Sequence, residues 1–248
     1  MLSDFSSLVF NYSPDKNRSE YLAVRQFLID KKRPELIQDL QRSALRLIKP
    51  INPVNNTIEF TTEKGTSDLD DEIKLEKADA FIITSIALGI NKVDVTVPTT
   101  PLTSQNPILY FPDATAFPGT RTGNQPEATA LLAYYMGKIR IESGKYALLQ
   151  NFYSGELMQV PAAQDEQHRN SNLDESAFSL GVMMPLVGNQ NYTITLKTGS
   201  GDRTLADGLY NAAGVVQSPV TVKNYATFFL RGFVIKNGAQ VLLANNFL

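Results

Sequence analysis

Two periods of apolar residues divide this chain. From Ser19 to Lys49 the spacing is helical. Ser19 is placed to cap a first helix carrying Leu22, Val24, Phe27 and Leu28. "KKRPEL" interrupts it, with Pro34 suited to open a second helix. There Leu36, Ile37, Leu40, Ala44, Leu47 and Ile48 recur on one face. Pro50 and Pro53 cannot continue a helix, so the pattern predicts a helical N-terminal arm over residues 1–53 with an apolar side to dock.

Beyond Pro53 the period becomes two, which predicts a β domain over residues 54–248. "NTIEFTT" alternates, "ADAFIITSIALGI" is apolar enough for a strand covered on both faces, and "KVDVTVP" sets Val93, Val95 and Val97 on one side. "TTPLTSQNP" and "FPDATAFPGTRTGNQPE" read as loops around a short strand "ILYF". "EATALLAYYMG" suits a helix or a strand leading into "KIRIES", and "SGKYALLQNFYSGELMQVP" suits a hairpin turning at "SGK". The polar run "AAQDEQHRNSNLDES" reads as an exposed excursion, followed by strands "AFSLGVMMPL" and "NYTITLKT".

The last apolar stretch, "YATFFLRGFVIKNGAQVLL", turns at Lys236, Asn237 and Gly238. Phe228, Leu230, Gly232 and Val234 share one side of its strand; Thr227, Phe229, Arg231, Phe233 and Ile235 share the other. Burying one large apolar side chain contributes roughly 1.5–3 kcal/mol, so both sides are expected to be covered. Arg231 is expected at a rim or against a carboxylate. About ten strands without strand–helix alternation predict a mainly β fold, an antiparallel β-sandwich or jelly-roll-like domain behind the helical arm.

Composition narrows the function classes. Hydrophobic residues at 43% and charged ones at 19% fit a folded chain. A net charge of −2 argues against coating nucleic acid, so nucleic acid contact is not indicated. The absence of cysteine excludes disulfides, thiolate nucleophiles and cysteine-bound metals. The first residues lack the basic and apolar blocks of a secretion signal, and no apolar run reaches the ~18 residues of a membrane helix. A cytoplasmic start without a membrane segment is expected.

Candidate chemistry is sparse. His168 lies in "DEQHRNS", a solvated setting unlike that of a catalytic histidine. "TSDLDDE" gathers Asp68, Asp70, Asp71 and Glu72 but lacks the glycine and terminal glutamate of an EF-hand. "TGSGDRT" has neither the helix nor the lysine of a phosphate-binding loop. Nothing in the spacing of Glu156 with Asp165, or of Asp113 with Glu127, brings either carboxylate pair to a hydrolytic separation. No enzyme activity, cofactor, metal or small-molecule substrate is expected.

Charge is unevenly spread. Residues 1–50 hold nine Lys or Arg against six acids, and residues 59–79 hold eight acids against three lysines. Opposite patches favour docking, either within the chain or onto a neighbouring copy. The residues singled out as subunit contacts are Leu36, Ile37, Leu40, Arg42, Arg46 and Leu47 on the arm, and Asp68, Asp70, Asp71 and Glu72 on the acidic loop.

The succession "KADAFIITSIALGI", "PILYFPDATAF", "EATALLAYYMGKIRI", "FYSGELMQVPAAQ", "NYTITLK" and "ATFFLRGFVIKNG" resembles structural, capsid-type virion proteins of bacteriophages, especially those of Bacteroidetes hosts. The resemblance implies a β-sandwich or jelly-roll virion component, assembled in the host cytoplasm from many copies, with itself and other virion proteins as partners. It transfers no catalytic residues. The alternative is a carbohydrate- or surface-ligand-binding sandwich module, with Tyr110, Phe111, Phe117, Tyr134, Tyr135 and Tyr153 as candidate aromatic platforms and no tryptophan to help them.

Overall fold

The computed structural model describes residues 14–51, 55–64, 72–94, 133–144, 146–158, 177–199 and 222–243. Among these the protein is mainly β. Helix α1 (Pro14–Asp30) and a 3₁₀ turn (Pro34–Asp39) lead into β1 (Leu40–Pro50), β2 (Thr57–Thr61) and β3 (Ala80–Asp94). Then follow β4 (Lys138–Ser143), β5 (Tyr146–Tyr153), β6 (Phe178–Val187), β7 (Thr193–Lys197), β8 (Val222–Ile235) and the short helix α2 (Ala239–Leu243).

The first expected helix is present, and it opens at Pro14 rather than after Ser19, with proline in the first turn where its missing N–H costs nothing. The second expected helix is corrected. Residues 34–39 form only a 3₁₀ turn, and residues 40–50 are strand β1, paired from Leu40↔Ile235 to Pro50↔Tyr225 with β8. Ala44, Leu45, Leu47 and Ile48 are all buried, on both faces of the strand. A strand covered on both sides carries an apolar run that matches a helical period by coincidence, and tertiary context overrides the helix propensity of its leucines and arginines. "KVD" is the end of β3 instead of a separate strand, and "AQVLL" is α2 instead of strand. Residues 133–135 form one helical turn, while "ILYF", the two proline-rich loops and the polar excursion lie outside the described residues.

Among the described residues the eight strands pair antiparallel. One sheet has the order β1-β8-β3-β6 and the other β2-β7-β4-β5. Four pairs, β1 with β8, β2 with β7, β3 with β6 and β4 with β5, fold the chain back on itself about the β4–β5 hairpin. β3 with β8 and β4 with β7 then join those pairs into sheets. The sheets face each other as a sandwich-like pair: Phe60 of β2 stacks 5.8 Å from Phe228 of β8, Phe152 of β5 lies 5.3 Å from Phe178 of β6, and β1 lies over β2.

The interior is filled row by row. Leu47, Phe228 and Leu88 share one register row of the first sheet and Leu45, Leu230 and Ile86 the next. Facing them are Ile58, Leu196 and Ile139, then Phe60, Ile194 and Ile141, from the second sheet. β3 bulges at Thr84, whose hydroxyl donates to the Arg231 carbonyl (3.2 Å). Gly232 is required beside that bulge, because a Cβ there would collide with the Ile82 carbonyl oxygen. The expected turn after β8 is present: the Asp79 carboxylate holds Lys236 (2.6 Å) and accepts from the Asn237 N–H (3.1 Å).

Candidate functional site

The outer face of the first sheet is largely buried along β8 and β3. Arg42 and Phe233, Ala44 and Arg231, and Arg46 and Phe229 are register neighbours there. Arg231, in the central strand β8, is only 1% exposed. Helix α1 lies on this surface, burying Glu20, Val24 and Leu28 at i, i+4 and i+8, the spacing of one helix face. The Glu20 carboxylate sits 2.8 Å from the Arg42 guanidinium and 3.9 Å from that of Arg231. Arg42 also lies over the Phe233 ring, which packs against Tyr21 of α1. Of the two settings expected for Arg231, the structure has the carboxylate. Glu20 was missed by the sequence reading; the signal for it was a carboxylate on the stripe shared with Val24 and Leu28.

The two flanks of the sandwich differ. On the β1/β2 flank residues 72–75 close the gap between sheets. Arg46 and Ile73 exchange backbone hydrogen bonds (2.8 Å each), and Leu75 donates to the Thr62 carbonyl (3.2 Å). Glu72 accepts from the Ile48 N–H (2.9 Å) and lies 3.5 Å from Lys74, both side chains nearly sealed from solvent. Residues 72–75 thus bond to the edge of β1 at Arg46 and Ile48 and to the chain just past β2 at Thr62.

On the β5/β6 flank both edge strands are interrupted. β5 carries one extra residue between its Ile139 and Ile141 partners, where Asn151 has φ +53°, and another between Leu149 and Ala147. β6 carries three extra residues between Met184 and Ser179, and its bulge is turned by Gly181 at φ +66°, a conformation glycine takes without strain. Bulges blunt an edge against continuous strand addition. The β6 bulge holds Val182, which is 56% exposed, and at the two ends of β5 Tyr146 is 74% and Tyr153 48% exposed.

Beside this flank the sheets are tied by buried polar groups. Tyr134, ahead of β4, donates its hydroxyl to the Gly89 carbonyl of β3 (3.1 Å), and burial pushes its pKa well above the ordinary value near 10. Ser154 donates to the Tyr135 carbonyl (2.7 Å) and accepts from the Gly137 N–H (2.8 Å). On β7's approach, the Tyr192 hydroxyl accepts from the Val187 N–H (3.1 Å), and its pKa is raised mainly by burial.

The expected contact residues divide accordingly. Leu36 and Leu47 are core residues, Leu47 between the sheets, while Ile37 and Leu40 are half-buried against that core. Arg42 meets Glu20, Arg46 joins the 72–75 segment through its backbone, and Glu72 docks on β1 of its own chain. Asp68, Asp70 and Asp71 lie outside the described residues, as do His168, Asp113, Glu127 and Asp165. Among the aromatic platforms, Tyr134 and Tyr135 are buried, Tyr153 is half-exposed, and Tyr110, Phe111 and Phe117 are outside the described residues. Among the described residues no helix is long and apolar enough to cross a membrane, and no group of three or more potential ligands is placed to hold a metal. Comparison with protein-family models, curated proteins and solved structures finds no match to this chain.

Proposed function

We propose that this chain is a virion structural protein, a bacteriophage capsid component built as a jelly roll with α1 as its N-terminal arm, assembled in many copies in the host cytoplasm. The strand pairing carries this reading. The complementary pairs from β1/β8 to β4/β5 describe one long two-stranded ribbon, wound so that successive pairs fall in alternate sheets. Winding such a ribbon produces a jelly roll, an architecture used by viral shells and by lectin domains. Architecture alone does not choose between them. The flanks favour the shell: one is closed by the chain itself, and the other presents Tyr146, Tyr153 and Val182 to solvent on bulged edges. Leu22 and Ile29 add apolar surface on the outward side of α1. A subunit with copies and other virion proteins as partners buries such groups between neighbours.

Light scattering coupled to size exclusion, across salt and protein concentration, tests the proposal. Closed assemblies or defined rings are the expected result. A monomer at every condition overturns self-assembly and favours the second reading, a carbohydrate- or surface-ligand-binding module. The exposure of Tyr146 and Tyr153 on one edge strand supports that reading, since exposed rings offer stacking faces. Binding on a glycan array, lost in Tyr153→Ala, then decides it.

A further inference from the structure

We propose that α1 is an exchangeable arm: its seat on the outer face of the first sheet accepts α1 from a second copy of this chain as well as from its own. The inference rests on the shell reading and names one contact within it. Three features support it.

The first is the hinge. Lys32 donates to the Ile29 carbonyl (2.9 Å) and Arg33 to the Leu28 carbonyl (2.8 Å), the paired bonds of a Schellman stop. The left-handed position of that motif is held by Lys32 at φ +59°. Glycine takes this conformation freely, whereas a side chain disfavours it by on the order of fivefold to thirtyfold. Folding α1 back onto its own sheet therefore keeps Lys32 strained, and opening the hinge relieves it. Short strained hinges are where elements exchange between copies.

The second is the selectivity of the seat. A helix fits only if it places a carboxylate between Arg42 and Arg231 with apolar groups one and two turns later, as Glu20, Val24 and Leu28 do. That specification is met by α1, so the occupant that can replace it is the α1 of a second copy. The third is the independence of the seat. Arg42, Arg231 and Phe233 stand on β1 and β8, which pair with each other along their lengths whichever chain supplies the helix.

The chain has no cysteine, so introduced thiols are the only ones present. Two full-length variants, Tyr21→Cys and Phe233→Cys, are mixed under assembly conditions and treated with a short bismaleimide. These side chains face each other across the helix–sheet contact. A crosslinked heterodimer is expected, and Lys32→Gly in the first variant should lower its yield about fivefold by removing the strain. Should Phe233→Cys fail to fold, the concentration dependence of the mass distribution in Lys32→Gly and Lys32→Val, on the otherwise unaltered chain, reads the same equilibrium. Valine should drive exchange and glycine suppress it. Assembly of the unaltered chain with no heterodimer, or equal mass distributions for the two hinge variants, overturns the exchange and leaves the shell reading standing. A monomer at every concentration overturns both.

Discussion

The two sheets of this sandwich-like fold solve burial differently. In the second sheet β2, β4 and β7 alternate. Ile58, Phe60, Ile139, Ile141, Ile194 and Leu196 point inward, and Glu59, Thr195 and Arg140 form one outward register row. One face is wet, as is usual for antiparallel sheets. In the first sheet β3 and β8 are buried along nearly all of their described length, with α1 over part of the outer face. There a charged group must bring its partner with it, so Arg231 is met by Glu20. The lesson is that an apolar face tolerates a buried arginine only where another element supplies a carboxylate.

Five variants test this contrast, and the largest effect belongs to the outer face of the first sheet. Glu20→Ala leaves two guanidinium groups without their shared carboxylate and should cost about 3–5 kcal/mol in urea unfolding. Replacing Glu20→Met, Arg42→Leu and Arg231→Met together should cost less than Glu20→Ala alone, because the three charges that meet are removed together. A loss below about 1 kcal/mol for the single change would contradict a sealed outer face. Next comes Ile194→Ala, which opens a cavity on the inner side of the second sheet and should cost about 2–5 kcal/mol.

Tyr134→Phe removes one buried hydrogen bond between the sheets and should cost about 1 kcal/mol at neutral pH. It should also alter the alkaline limb. The raised folded pKa of Tyr134 means that both states hold the proton below pH ~10, and that above it the unfolded chain releases the proton first. Stability therefore falls as pH rises past 10, and the phenylalanine variant should fall less steeply. The smallest effect is on the wet face: Thr195→Lys should stay within about 0.5 kcal/mol of the parent. A loss above 1 kcal/mol there would show that the second sheet is covered too.

How much of this was legible before folding depends on how many faces a strand buries. "NTIEF", "KIRI" and "TITLK" carry period-two alternation because water lies on one side, and they were read as strands. "LQRSALRLIKP" buries both sides, so it lacks the period of two and matched a helical spacing instead, and the helix expected there proved to be the edge strand β1. The turn at Lys236 to Gly238 was readable from its residues, whereas its Asp79 anchor is remote in sequence. Of the contact residues, Glu72 accepts from the Ile48 N–H of its own chain, a backbone contact that local charge does not specify.

The class of the protein followed from the sequence alone: mainly β, with a helix carrying Leu22, Val24 and Leu28 near the N-terminus and strands that alternate where they face water. These follow from side-chain chemistry acting over a few residues, where period and turn preference are local. Only the tertiary structure decided that β1 completes the first sheet, that Glu20 finds Arg231 across more than two hundred residues, and that residues 72–75 close one flank while bulges blunt the other. Each joins segments distant in the chain, and the free energy that selects them arises only once both partners have been brought together and withdrawn from water.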